Sequence, residues 1–262
     1  MGIKDGVFSL ISDFMRPDFD LQFLQFCGND DLRSLCNIIM YDNDGKIRLS
    51  ENLSNSDNYL ACYPDKMVGM WKDIAAELQC YGGNTVLNCF RGHGPSYESI
   101  VRDVCKRMRV NNILIHDTAE EMEQKLLIAV SQKAIGELDE SQARAIMDEC
   151  GIRNYERSKA GLLAALVALQ IVNRRLFVIV IETVMRMVSR ILIGRGIMYM
   201  GMGIFSRGLG VLFGPIGWIL MGGWAVWDIL GPAYRVTIPA VIQIAYMRVK
   251  YHSMLNTERM QA

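Results

Sequence analysis

The stretch from 208 to 227, GLGVLFGPIGWILMGGWAVW, constrains this chain more than any other feature. Its twenty residues carry no charge, and six are glycine and one is proline. A helix of that length at ~1.5 Å per residue measures about 30 Å, the thickness of a bilayer's hydrocarbon core. Helix energetics oppose that fit, because glycine costs about 1 kcal/mol relative to alanine at each interior position and proline about 3. Such a segment is a stable helix only where neighbours pack against it, in a protein core or among other membrane helices. Gly210 and Gly214 form a G-x-x-x-G pair suited to close helix approach. Pro215, Gly217, Gly222 and Gly223 continue the small, irregular backbone. Trp218, Trp224 and Trp227 supply aromatic anchors, the last two beside Asp228, where a lipid interface would hold them. These nine residues form the candidate membrane-facing set. Large aromatics of a soluble core are the competing reading.

The neighbouring sequence decides how far the membrane reading extends. Residues 1–158 hold 17 Lys and Arg against 25 Asp and Glu, a net charge of −8. Residues 159–262 hold 11 against 3, a net charge of +8. An acidic half thus precedes a basic, strongly apolar one, and the two halves can neutralise each other or meet separate partners. The apolar character of the basic half favours an anionic lipid surface over nucleic acid, whose binding faces are rich in lysine and polar groups. KAGLLAALVALQIVNRRLFVIVIETVMRMVSRILIG (159–194) reads as one long or once-broken helix. Its charges Arg175, Glu182, Arg186 and Arg190 share a narrow face, and so wide an apolar arc is buried in a bundle or lies against lipid. Asn173-Arg174-Arg175 and Arg207 interrupt the flanking apolar runs, so no segment is a secure span by itself. The last helix is expected to open near Thr237, with Pro239 in its first turn, and to end basic at the negative end of the helix dipole.

The acidic half reads as helices separated by polar turns. DFDLQFLQFCGNDDLRSLCNIIMYD suggests two short helices about Gly28, with Asn29 or Asp30 capping the second. NDGKIRLSENLSNSDN is a linker or exposed loop. Met67, Met70, Trp71, Ile74 and Leu78 recur at helical spacing, with Gly82-Gly83 as a stop. NTVLNCFRG suggests a further short helix. Ser96 reads as the N-cap of a helix over SYESIVRDVCKRM, and Thr118 with Glu121 and Asp139 with Gln142 match the capping box. The expected divisions are a helical hairpin and linker (1–55), an acidic helical domain (56–157) and a basic, glycine-rich membrane-facing region (158–262). Seven cysteines without a C-x-x-C pair read as buried thiols of a reducing cytosol. The opening MGIKDGVFSLISDF has too short an apolar run for secretion and carries Gly6 where myristoylation wants Ser or Thr.

Catalytic signals are sparse. The three histidines are His93, His116 and His252, and only RGHGPSYE gives one a suggestive setting. There, amides at a helix start with Arg91 suit an anion, and His93 suits a base oriented by Asp103. A tight turn that needs glycine explains the same string. No phosphate-binding loop, zinc-protease motif or nucleophile elbow is present. The residues call for no catalytic group, cofactor or metal.

DFDLQFLQFCGNDDL (18–32), DGKIRLSENL (44–53), ELQCYGGNTVLNCFRGHGPSYESIVRDVCKRMRV (77–110) and GPAYRVTIPAVIQIAYMR (231–248) resemble the YaaW-type family of bacterial proteins. Between about 111 and 230 the likeness rests mainly on the glycine-rich segment. The family has been linked to the helical ubiquinol–cytochrome c reductase assembly chaperones, which implies an all-α fold and supplies no catalytic residues. The expectation is an all-α, multi-helix bundle with a glycine-rich apolar segment in its C-terminal half. The expected function is that of a non-enzymatic cytoplasmic protein whose basic half associates with, or conditionally inserts into, the inner membrane. A stress or defence effector restrained by the acidic half is the leading form of that expectation. A soluble assembly chaperone with a protein client is the alternative, and a homo-oligomer suits either.

Overall fold

A computed structural model describes residues 17–41, 47–48, 53–82, 94–194 and 234–261. All nine candidate membrane-facing residues, from Gly210 to Trp227, lie outside the described residues, as do Arg91, His93 and the expected NTVLNCFRG helix. The fold is all-α. Among the described residues the sole β pairing is an isolated antiparallel bridge between Tyr41 and Ile47. A 3-10 helix, Phe19–Phe26, leads into α1 (Asn29–Met40). A short 3-10 turn, Leu53–Asn55, precedes α2 (Asp57–Cys62), and a second, Met67–Met70, runs into α3 (Trp71–Gly82). Then follow α4 (Tyr97–Arg107), α5 (Ala119–Gly136), α6 (Glu140–Glu149), α7 (Lys159–Val172), α8 (Arg174–Gly194) and α9 (Tyr234–Gln261).

Local chemistry sets most of these boundaries. Ser96 accepts from the Ser99 amide and opens α4. Both expected capping boxes are present: Thr118 with Glu121 opens α5, and Asp139 with Gln142 opens α6. Each satisfies amide groups that the first helical turn leaves unbonded. The long apolar stretch is once broken, at Asn173, whose side chain accepts from the Leu176 amide and so starts α8. Gly94 lies where a Cβ would sit 2.4 Å from the Gln79 carbonyl oxygen, so a glycine is needed for its own backbone to approach α3 this closely.

Three boundary expectations change. Gly28, rather than Asn29 or Asp30, occupies the cap position of α1. Asn29 is spent on a longer-range tie, accepting from the Met67 amide at 2.7 Å and donating to the Pro64 carbonyl at 2.9 Å. The last helix begins by Tyr234, which puts Pro239 inside it and Thr237 within a turn rather than at a cap. The missing proline N–H costs one backbone bond, which tertiary packing offsets. Finally, α9 continues to Gln261, so Arg248 and Lys250 sit in mid-helix and act through ion pairs rather than through the helix end.

Helix α9 is the centre of the architecture. It packs against α1, α3, α4, α5, α8 and the first 3-10 helix. Every residue from 236 to 249 is buried, including Ile238, Val241, Ile242 and Ile244 on successive faces. A largely apolar helix is stable only when surrounded, and the acidic half together with α8 surrounds this one. On its outer side α7 packs against α5, α6 and α8.

Candidate functional site

The chemistry-bearing residues gather where α4, α5 and α9 meet the first 3-10 helix. Glu123 of α5 is 1% exposed. Its Oε2 accepts from Arg248 Nε at 2.5 Å, and its Oε1 accepts from a second guanidinium nitrogen at 3.2 Å and from the Tyr97 hydroxyl at 2.6 Å. The same guanidinium donates to the Asp20 carbonyl at 2.5 Å and lies 4.1 Å from the centre of the Phe23 ring. Beside it, Asp18 accepts from the Asp20 amide, the Tyr97 amide and the Gln79 side chain. Asp18 thereby caps the 3-10 helix and anchors the first turn of α4 at once.

Burial pushes the Glu123 carboxyl above its usual range, against the opposing pull of Arg248 and the Tyr97 hydroxyl. Burial beside the Glu123 carboxylate also drives the Tyr97 hydroxyl well up, keeping it a donor. A carboxylate with both oxygens engaged by internal donors, and 1% exposed, presents no face to a substrate. The group is a clamp. Removing one partner of such a buried pair typically costs about 3–5 kcal/mol, because the other charge stays buried without compensation.

The clamp belongs to a wider pattern of contacts across residue 158. Arg174 pairs with Glu120 at 3.4 Å, Arg248 with Glu123, Lys250 with Asp31 at 2.9 Å, and His252 approaches Glu120 at 3.4 Å. In all four the basic group comes from the second half and the carboxylate from the first. Gln170 extends the chain by donating to Gln124, which itself donates to Glu120. Within the second half, the Tyr246 hydroxyl donates to Glu182, so Glu182 faces α9 while Arg175 on the same helix stays exposed.

A second polar group braces the loop before α5. Asp117 accepts from the Leu114 amide at 2.7 Å and from Lys125 at 2.6 Å. Arg102 donates to the carbonyls of Leu114 and Asp117. Lys125 hydrogen bonding, followed by the Leu114 amide, holds the Asp117 carboxyl below its ordinary value. Asp103 pairs with the Tyr234 hydroxyl, whose titration burial and that bond both raise, and its suggested pairing with His93 lies outside the described residues.

Among the described residues no cluster of His, Cys, Asp or Glu could hold a metal ion. Among the same residues no helix is long and apolar enough to cross a membrane. Cys27, Cys36, Cys105 and Cys150 are buried thiols, whereas Cys80 is exposed. The sequence reading missed the Glu123–Arg248–Tyr97 clamp. Its trace was available in VTIPAVIQIAYMRV (236–249), where Arg248 is the single charge of a largely apolar stretch and needed a buried anion.

Fold and site define an all-α bundle wrapped around its last helix and fastened there by a buried ion pair. The chain belongs to the UPF0174 family. It is 34% identical over 240 residues to a UPF0174 protein of Helicobacter pylori (strain J99 / ATCC 700824), covering 90% of this chain and 92% of that one. It is also 34% identical over 234 residues to the UPF0174 protein YaaW of Escherichia coli (strain K12), covering 88% and 94%. The model of a domain of unknown function, DUF3944, matches residues 15–49, which include Asp18, Asp20 and Phe23 of the clamp. No solved structure matches the chain.

Proposed function

We propose that this is a non-enzymatic bacterial protein whose basic apolar second half associates conditionally with the inner membrane, restrained by its acidic first half. The observation that carries this reading is the set of contacts across residue 158: among the described residues Arg174, Arg248 and Lys250 each bring a cation of the second half onto a carboxylate of the first, and His252 approaches Glu120. The acidic helices cover α9 and neutralise Arg248 and Lys250, so weakening those contacts frees an apolar, cationic helix. An anionic lipid surface is the partner that such a helix fits. A stress or defence effector that perturbs the membrane on release is the form of function this arrangement suits.

Fractionation of cells producing the untagged protein tests the reading. The expected result is a divided pool, with the membrane-bound part displaced by carbonate until the restraint is broken, and dye leakage from anionic vesicles afterwards. The complete burial of residues 236–249 supports a second reading, a soluble assembly chaperone or interaction protein in which α9 is permanent core. That reading predicts an entirely soluble pool, a co-purifying client and no leakage. Recovery in that form would displace the membrane proposal.

A further inference from the structure

Helix α7 has an unusual outer face. Its buried side is Leu162, Ala165, Leu166 and Leu169, as expected of a bundle helix. The opposite, solvent-exposed stripe is Ala160, Ala164, Val167 and Ile171, at helical spacing and without a polar residue. Ile171 is 85% exposed and the adjoining Val172 is 81% exposed. Surface helices normally place charged and polar residues there, and a helix apolar on every side calls for a further covering.

The charge around the stripe identifies that covering. No Asp or Glu occurs between Glu156 and Glu182, while Arg157, Lys159, Arg174 and Arg175 bracket the apolar residues, Arg157 paired with Asp148 and Arg174 with Glu120. Arg175 is exposed and makes no ion pair among the described residues. The Arg174–Glu120 pair sets the end of α7 beside the first turn of α5. The loop entering that turn presents Leu114, 63% exposed, and Ile115, 85% exposed. It follows an exposed Lys106, Arg107 and Arg109, again with no acidic residue from 104 to 116. The backbone of Leu114 is already satisfied at both its amide and its carbonyl, so this residue can enter an apolar interface without stranding its own polar groups. Asn173 similarly satisfies the start of α8.

We infer that the outer stripe of α7, its corner at Ile171–Arg175 and the Leu114–Ile115 tip together form the surface by which the folded protein docks on an anionic phospholipid bilayer. The inference rests on the membrane reading above and assigns it a site in the closed form, before any helix is released. Aliphatic side chains enter the acyl boundary and Arg175 stays at the phosphates.

Vesicle flotation of the full chain tests it, with phosphatidylcholine alone and phosphatidylcholine mixed with phosphatidylglycerol. Wild type is expected to float with the mixed vesicles and to be released by salt. The double variant Val167→Asp with Ile171→Asp is expected to lose binding about tenfold or more, and Arg175→Glu several-fold. Both change exposed side chains, and a circular dichroism melt like wild type confirms that the fold survives. Leu60→Asp, an exposed aliphatic on α2, is expected to float as wild type does. If wild type floats and the α7 double variant floats equally, this surface is wrong while the membrane reading stands. If wild type floats with neither vesicle, this surface fails, while the membrane reading is decided by whether Glu123→Ala floats. Light scattering that finds a dimer dissociated by the α7 variant, with no flotation of either protein, assigns the stripe to a second copy and overturns the inference.

Discussion

Helices α7 and α9 come from the same apolar half of the chain and end in opposite environments. Along α9 every residue from 236 to 249 is buried, and its one arginine there finds a buried carboxylate. Helix α7 carries no charge between Lys159 and Arg174, yet one whole face of it meets solvent. Apolar composition therefore does not decide which helix becomes core. The difference lies in what the acidic half offers each helix: carboxylates at Asp31, Glu120 and Glu123 draw α9 inward, and α7 presents nothing for them to hold. Glu120 instead reaches past it to Arg174.

The contrast is broken most severely at the clamp. Glu123→Ala is expected to cost about 3–5 kcal/mol in urea unfolding, since it leaves Arg248 buried without its anion. Joint replacement, Glu123→Leu with Arg248→Met, is expected to recover most of that loss, because an apolar pair no longer carries the desolvation penalty. Asp18→Ala is expected to cost about 1–3 kcal/mol, as it strips the acceptor shared by the Tyr97 and Asp20 amides. Removing a surface cap by Thr118→Ala is expected to cost about 1 kcal/mol by the same measurement. On α7, Val167→Ser with Ile171→Ser is expected to stay within about 0.5 kcal/mol of wild type, which would confirm that the stripe does not stabilise the fold.

A smaller effect appears on acidification. The Asp117 carboxyl lies below its ordinary 3.8 in the folded chain because Lys125 and the Leu114 amide bind its charged form. A carboxylate lowered in this way contributes stability above its unfolded value and loses it as the pH falls through its folded value. Asp117→Asn is therefore expected to lower the neutral plateau of a stability–pH curve and flatten its acid limb below about pH 4, so that variant and wild type converge in acid.

Much of this architecture was legible in the sequence. Ser96, Thr118 and Asp139 read as helix starts because a short side-chain acceptor before an apolar repeat does local work that needs no tertiary knowledge. The break in the long apolar stretch was marked by Asn173 for the same reason. What local pattern hid was long-range. Asn29 resembles a cap but binds the backbone near Met67, and Arg248 resembles a helix-end charge but lies in mid-helix against Glu123, 125 residues earlier. Pro239 signals a first turn, yet burial of the whole segment outweighs the bond it lacks. The charge split supplied the missing clue in bulk form: net charges of −8 and +8 implied contacts between the halves without naming a pair.

The restraint itself is tested most directly by comparing full-length wild type and Glu123→Ala for binding to vesicles containing phosphatidylglycerol, at a temperature where both retain helical circular dichroism. The account predicts that loss of the clamp raises the bound fraction and makes part of it resistant to salt, as α9 leaves the acidic half for lipid. A variant that is destabilised in urea but binds no more than wild type would contradict it.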